Sequence, residues 1–214
     1  MNYPTFFGID LTSTGAKPSA CIGLDGKLQL VYLGFLTENS DIIALLNFYS
    51  PQVIAVDAPL SLPLGLCCLE ESCTCEPEFP RKNRQCDQEL RHQAIPCYPT
   101  SKKTFIKGLI YRGIELKTSI GREVKQAGQV IEVYPFASKI RLLGKTMPRK
   151  TTKQGMSFIR DKLGDILPGL KPYFDMFDHD LFDAAVAAYT ALLHHQNRVD
   201  ALGNSEEGLI FIPI

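Results

Sequence analysis

Five acidic side chains stand where acids are costly. Asp10 closes the apolar run Thr5-Phe6-Phe7-Gly8-Ile9 and is followed, after Leu11, by Thr12-Ser13-Thr14-Gly15. Asp57 closes Gln52-Val53-Ile54-Ala55-Val56 and precedes Ala58-Pro59. Glu132 lies within Val130-Ile131-Glu132-Val133-Tyr134-Pro135, and Asp180 and Asp183 stand three apart at the head of an alanine-rich run. Carboxylates gathered in one place repel and raise one another's pKa unless a cation sits between them. Hard oxygen ligands of this kind suit magnesium or manganese. Two such ions about 4 Å apart activate a water and stabilise the leaving oxygen of a phosphodiester. Each acid also has a local explanation. Asp10 could cap the turn at Ser13 or Thr14, and Asp57 could be a turn residue before Pro59. Glu132 could face solvent from an edge strand, and Asp180 and Asp183 could simply favour a helix N-terminus. His179 could be a ligand, a base or a solvent residue.

The elements around these acids predict an α/β chain. Apolar runs closed by turn formers read as buried strands, so Asp10 and Asp57 fall at strand ends. Ser19–Leu24 and Leu28–Phe35 read as two more strands, joined by a two-residue turn at Asp25-Gly26. Asn39 or Ser40 caps a helix that Pro51 closes. The strand ending at Asp57 is nearly all apolar, hence covered on both faces and paired in parallel. If it lies beside the first strand, both aspartates reach the sheet edge where ligands of α/β proteins bind. A fifth strand is Val130–Pro135. Helices are expected over Phe136–Leu143, from Lys150–Thr152 to about Leu163, and over Asp178–Leu193. In the last, Phe182, Val186, Tyr189 and Leu193 form an apolar stripe, and Asp180, Asp183 and Ala187 share another face. Gly208–Ile214 reads as a short closing strand or hairpin arm.

The chain of 214 residues is 45% hydrophobic and 21% charged. That predicts one domain over residues 1–214, with an insertion at about 61–128 that has some helix near Cys86–Gln93. A formal net charge of zero excludes a global field toward nucleic acid or membrane, so a polyanion would have to meet a local patch. No apolar run approaches the roughly 20 residues that span a bilayer, and no secretion signal is evident, so a cytoplasmic location is expected. The insertion offers Arg81, Lys82, Arg84, Arg91, Lys102, Lys103, Lys107 and Arg112, with Tyr98, Phe105 and Tyr111 able to stack on bases. Of these, Arg84, Arg91, Lys102 and Lys103 are the candidate substrate contacts. Arg84 and Arg91 are seven apart and could share a helix face, or could tie the insertion to the acidic edge. Six of seven cysteines lie between Cys67 and Cys97. Reduced thiols are the expectation there and a structural zinc the alternative, because Cys73-x-Cys75 is tighter than the usual ligand pairs.

Gly8-Ile9-Asp10, Ala55 through Pro63, Arg84-Gln85-Cys86-Asp87 with Leu90-Arg91, Glu132-Val133-Tyr134-Pro135, and His179-Asp180 through Asp183-Ala184 together resemble domain-of-unknown-function family 429. The resemblance spans nearly the whole chain. It implies a ribonuclease H-like fold, with a five-stranded mixed sheet and helices on both faces, and a nuclease. By that likeness Asp10 would bridge two metal ions. Asp57 and one of Asp180 or Asp183 would complete the set, while Glu132 fits such a site less well. Two other classes compete. Asp10 through Gly15 looks like the first phosphate loop of actin-like and sugar-kinase phosphoryl transferases, although no second copy of the domain is present. A non-catalytic binding module would use the acids for stability alone. Oligomeric state is not legible.

Overall fold

The computed structural model describes residues 3–13, 16–78, 83–126 and 128–214. Thr14, Gly15, Arg81 and Lys82, named above, lie outside the described residues. The chain opens with strands β1 (Thr5–Asp10), β2 (Ser19–Asp25) and β3 (Leu30–Leu36), then helix α1 (Asn39–Tyr49) and β4 (Val53–Asp57). Helices α2 (Gln85–His92) and α3 (Lys107–Glu123) precede β5 (Gln129–Val133). Then come α4 (Pro135–Leu143), α5 (Lys153–Ile166), a 3-10 helix at Pro168–Met176, α6 (His179–His195), and strands β6 (Val199–Asn204) and β7 (Gly208–Pro213).

All strands join one sheet in the order β3-β2-β1-β4-β5-β7-β6. Strands β1, β4, β5 and β7 run parallel, and β2, β3 and β6 pair antiparallel to their neighbours. The first five positions form the expected five-stranded mixed sheet. The count is corrected from five strands to seven, because β7 adds to β5 and carries β6 with it. Val-Asp-Ala-Leu-Gly-Asn of β6 has no apolar period and becomes a strand only by pairing with β7. Helix α3 is the other omission. Its buried Ile110, Gly113, Leu116 and Ile120 keep helical spacing, but glycines and β-branched residues lower its local propensity. The Asp25-Gly26 turn is longer than expected. Four residues separate the strands, and Asp25 Oδ1 accepts from the backbone N–H groups of Lys27 (2.8 Å) and Gln29 (2.9 Å). Glu38 rather than Asn39 or Ser40 caps α1, and Asp41 accepts from its backbone N–H at 3.1 Å.

Side-chain alternation assigns the two faces of the sheet. Phe7, Ile9 and Leu11 of the β1 segment and Ile54 and Val56 of β4 pack on Ile42 and Leu46 of α1 and Leu116 and Ile120 of α3. Phe6, Val53, Ala55, Ile131 and Val133 face the other way, against Ala187, Ala191 and Leu192 of α6. Helix α5 and the 3-10 helix extend that layer over β2. Helix α6 is therefore covered nearly all round from Asp180 to Leu193, not striped. Its alanines allow a close approach to the sheet. A Cβ on Gly8 would sit 2.1 Å from the backbone nitrogen of Ala188 and 2.2 Å from the carbonyl of Ala184. Among the described residues no helix is long and apolar enough to cross a membrane.

That approach predicts the cost of a single methyl group. Gly8→Ala should destabilise the chain by about 3 kcal/mol or more, measured by urea unfolding, since backbone atoms cannot step aside. A loss under about 1 kcal/mol would mean that α6 does not sit this close to β1.

Candidate functional site

Asp10 and Asp57 are register partners at the carboxyl ends of adjacent parallel strands. Asp10 follows Gly8 by two residues and Asp57 follows Ala55 by two, so both side chains take the α6 face. The strands end there at a cleft of about 340 Å³ lined by Asp10, Asp57, Tyr134, Lys139, Lys150 and Asp183, among others. Helix α6 delivers Asp180 and Asp183 from its first two turns. The N-cap is Asp178, whose Oδ1 accepts from the backbone N–H groups of Asp180 (3.0 Å) and Leu181 (2.9 Å). Capping therefore does not consume the two acids behind it.

The four aspartates are not alike electrically. Burial pushes the Asp10 pKa up to about 9, helped by the charges of Asp57, Asp183 and Asp180 and opposed by Lys150. Burial also pushes Asp57 up to about 8, helped by Asp183 and opposed by Lys150 and Lys139. For Asp180, burial alone would raise the pKa. A hydrogen bond from Lys17 and the charges of His179 and Lys17 overcome it and hold Asp180 below the usual carboxylate value. Lys17 Nζ lies 2.5 Å from Asp180 Oδ2, and His179 Nδ1 lies 2.6 Å from Oδ1. Asp183 has both oxygens on ammonium groups: buried Lys139 bonds Oδ1, and Lys150 bonds Oδ2 at 2.5 Å. Among the described residues no ion pair falls on Asp10 or Asp57.

Sequence reasoning missed Lys17, Lys139 and Lys150. Lys139 had a signal, a lone lysine among Phe136, Ala137, Ile140 and Leu142 on a helix. Lys150 sits in a run of basic residues that looks like ordinary surface.

Glu132 stands apart from the aspartates. Its register partner is Val56, so it shares the parity of the opposite face. It is buried, and both its oxygens are bonded by Arg84, Oε2 from Nη1 and Oε1 from Nη2, each at 2.7 Å. Oε2 also accepts from the backbone N–H of Leu60 at 2.8 Å. Arg84 is 1% exposed, and its remaining donors reach Asp87 Oδ2 (3.3 Å), Asp87 Oδ1 (2.9 Å) and Ser61 Oγ (3.1 Å). All five guanidinium N–H groups are thus used, which corrects Arg84 as a substrate contact. Arg84 and Arg91 share no face, since Arg91 is exposed and donates to the Cys97 carbonyl at 3.3 Å. Lys102 and Lys103 line a separate hollow with Leu66 and Cys75.

The hydroxyl loop after Asp10 is tied inward. Thr12 Oγ1 donates to the Lys17 carbonyl at 2.6 Å and accepts from Arg112 Nη1 at 3.0 Å. Among the described residues, groups that bring three or more ligand atoms within 4.8 Å of one another are confined to Cys67, Cys68, Cys73 and Cys75. The aspartates are spread more widely, with lysines between them.

The fold and site define a mixed α/β protein with a carboxylate cluster at the carboxyl edge of its parallel strands. The model of the family described as protein of unknown function (DUF429) matches residues 8–207, and the chain belongs to that family. Among solved structures, the Thermus thermophilus RuvC structure is similar, with a TM-score of 0.46 and 14% identity over 90% of this chain and 96% of that chain. No curated protein sequence matches.

Two outcomes follow from the electrostatics. Asp10 and Asp57 have folded pKa values far above the unfolded value of 3.8. The folded chain then keeps protons that the unfolded chain releases, so this contribution is full below about pH 4 and is lost as pH rises through 8 and 9. Metal-free thermal melts should show that decline, and Asp57→Asn should flatten it and raise the midpoint at pH 8; a variant that melts lower with the same slope would contradict the raised pKa. Asp180, held low, acts in the opposite sense and loses its contribution only on acidification. Separately, Arg84→Ala leaves two buried carboxylates unpaired and should cost about 3–5 kcal/mol in urea unfolding. Arg84→Lys should recover only part of it, because an ammonium has three donors rather than five.

Proposed function

We propose that this chain is a metal-dependent nuclease that hydrolyses phosphodiester bonds at the Asp10–Asp57 edge. The observation that carries the reading is the pairing of these two aspartates, in register on one face, half-buried and without an ion-pair partner among the described residues. Two carboxylates side by side repel when ionised, and they ionise together only when a cation joins them. The donor set fits a hard divalent ion. Magnesium is commonly held by one or two carboxylates and completes its shell with water and substrate phosphates. Asp10 and Asp57 would hold it, and Asp180, which the first turn of α6 brings close enough to act on the pKa of Asp10, would join them. A bound magnesium or manganese supplies an activated water and neutralises charge on the phosphate.

The chain's own residues supply the rest. Lys139 and Lys150 pair with the two oxygens of Asp183 and fix its carboxylate, and Lys150, partly exposed, presents positive charge to the cleft. Tyr134 and Phe136 form one wall. Tyr98 and Phe105 stand exposed at the rim with ring centroids 4.8 Å apart, edge to face. Exposed aromatic faces of this kind stack on unpaired bases. Arg91, Lys102 and Lys103 offer phosphate contacts around the insertion. A phosphoryl-transferase reading has less support, since the Thr12 hydroxyl is engaged by the Lys17 carbonyl of its own loop and by Arg112 of α3.

The test pairs binding with turnover. Manganese titration of the wild type should show binding that Asp10→Asn and Asp57→Asn each abolish while circular dichroism stays unchanged. Single-stranded, duplex and branched nucleic acids should be cut with manganese or magnesium, not with chelator, and not by either variant. Full cleavage by Asp57→Asn would overturn the site. Absence of manganese binding both with and without nucleic acid would leave a binding module.

A further inference from the structure

The segment between β4 and α2 carries a second group of ligands, away from the carboxylates. The sulfurs of Cys67, Cys68, Cys73 and Cys75 all lie within 4.8 Å of one another, and those of Cys67 and Cys73 are 3.6 Å apart. None of the four is in a disulfide. Zinc bound tetrahedrally by four thiolates at about 2.3 Å sets its sulfurs about 3.8 Å apart, so the four are already near ligand spacing. None of them lines the carboxylate cleft.

The close sequence spacing is resolved by a turn. The backbone N–H of Cys73 donates to the Glu70 carbonyl at 3.1 Å, which folds the second cysteine pair back on the first. Spatial neighbours are then Cys67 with Cys73, while Cys75 Sγ comes within 3.7 Å of the Cys68 carbonyl. Adjacent cysteines in sequence need not be adjacent at an ion.

The loop has few other sources of order. No described residue between Asp57 and Gln85 belongs to a helix or strand. Its apolar anchors are Leu66 and Leu69 against Ile110 of α3. Polar ties reinforce them: Tyr111 Oη accepts from the Leu69 backbone N–H at 2.7 Å, and Lys107 Nζ lies 3.1 Å from Glu70 Oε2. So short a core does not order a long irregular segment, and a metal cross-link is a common remedy. Lys102 donates to the Cys73 carbonyl at 2.5 Å, placing a cation beside a centre that would carry net negative charge.

We propose that Cys67, Cys68, Cys73 and Cys75 bind one structural zinc ion, in a closed site that cross-links residues 67–75 of this loop. Four S–H bonds give way to four Zn–S bonds, the protons leave to solvent, and no redox change occurs. With four protein ligands the ion has no open position and takes no part in hydrolysis.

The full chain, purified without chelator, is tested by elemental analysis after gel filtration. One zinc per chain is expected, retained by Cys97→Ser and lost by the Cys73→Ser/Cys75→Ser double variant. Because that variant could unfold, the wild type is also titrated with a mercurial, which should release the zinc as four thiols react. Cobalt substitution should give the charge-transfer and d–d bands of a tetrahedral tetrathiolate. A metal-free chain whose four thiols react freely would overturn the proposal. So would a Cys67–Cys73 disulfide by mass spectrometry, or cobalt bands showing fewer than four sulfurs. None of these outcomes depends on whether nucleic acid is cleaved.

Discussion

One guanidinium holds the long segment between β4 and β5 to the sheet. Arg84 lies at the head of α2, yet its side chain ends against Glu132 on β5 and Ser61 in the turn that follows Asp57. Burying a charge costs several kcal/mol unless its partners are geometrically complete. Here they are complete: two carboxylates and a hydroxyl take all five donors, and the Leu60 N–H and the Thr100 hydroxyl satisfy the same carboxylates from outside. Glu207, from the β6–β7 turn, adds a second tie by accepting from the backbone N–H groups of Gln85 and Leu64. The wall of the cleft exists because these groups converge. Asp57 reaches its position from a turn that this network pins.

The acids fall into three electrostatic classes. Glu132 and Asp87 are both paired with Arg84, in a place with little exposure. Asp183 and Asp180 are neutralised by lysines, of which Lys150 and Lys17 remain partly exposed and so can exchange partners. Asp10 and Asp57 have no ion-pair partner among the described residues. The acids without an ion-pair partner are therefore concentrated in one pair that lines the cleft. A fold that only needed stability would gain from amides at both positions, as at many buried carboxylates without partners. Unpaired carboxylates left in one place and paired everywhere else are what support the proposal of a cation site at Asp10 and Asp57.

Much of the sheet was legible because its strands are apolar runs with clear stops. Thr5–Asp10, Ser19–Asp25 and Val53–Asp57 are each closed by an acid or a turn, and α6 announces itself by its alanines. What the sequence hid was structure made by partners. Strand β6 has no apolar period and exists because β7 pairs with it. Helix α3 combines weak propensity with a buried spacing that only its contacts with α1 and the β4 turn make visible. The lysines of the site were hidden for a different reason: Lys17 and Lys150 look like solvated surface until the fold carries them to Asp180 and Asp183. Charge partners distant in sequence leave no local trace.

Parity separates the acids that composition groups together. Asp10, Asp57 and Glu132 all sit at or near the ends of buried strands, so type and position alone make them equivalent. Counting by twos does not. Ala55 and Asp57 share a face, Val56 takes the other, and Glu132 is in register with Val56. Ile131 and Val133 are apolar and pack toward α6, so on β5 the α6 face was already filled on both sides of the acid. An acid flanked by core residues of one face belongs to the other, and in this chain that other face holds Arg84. The alternation that builds the sheet thus sorts its carboxylates into one pair that faces α6 and the cleft, and one residue that anchors the cleft wall.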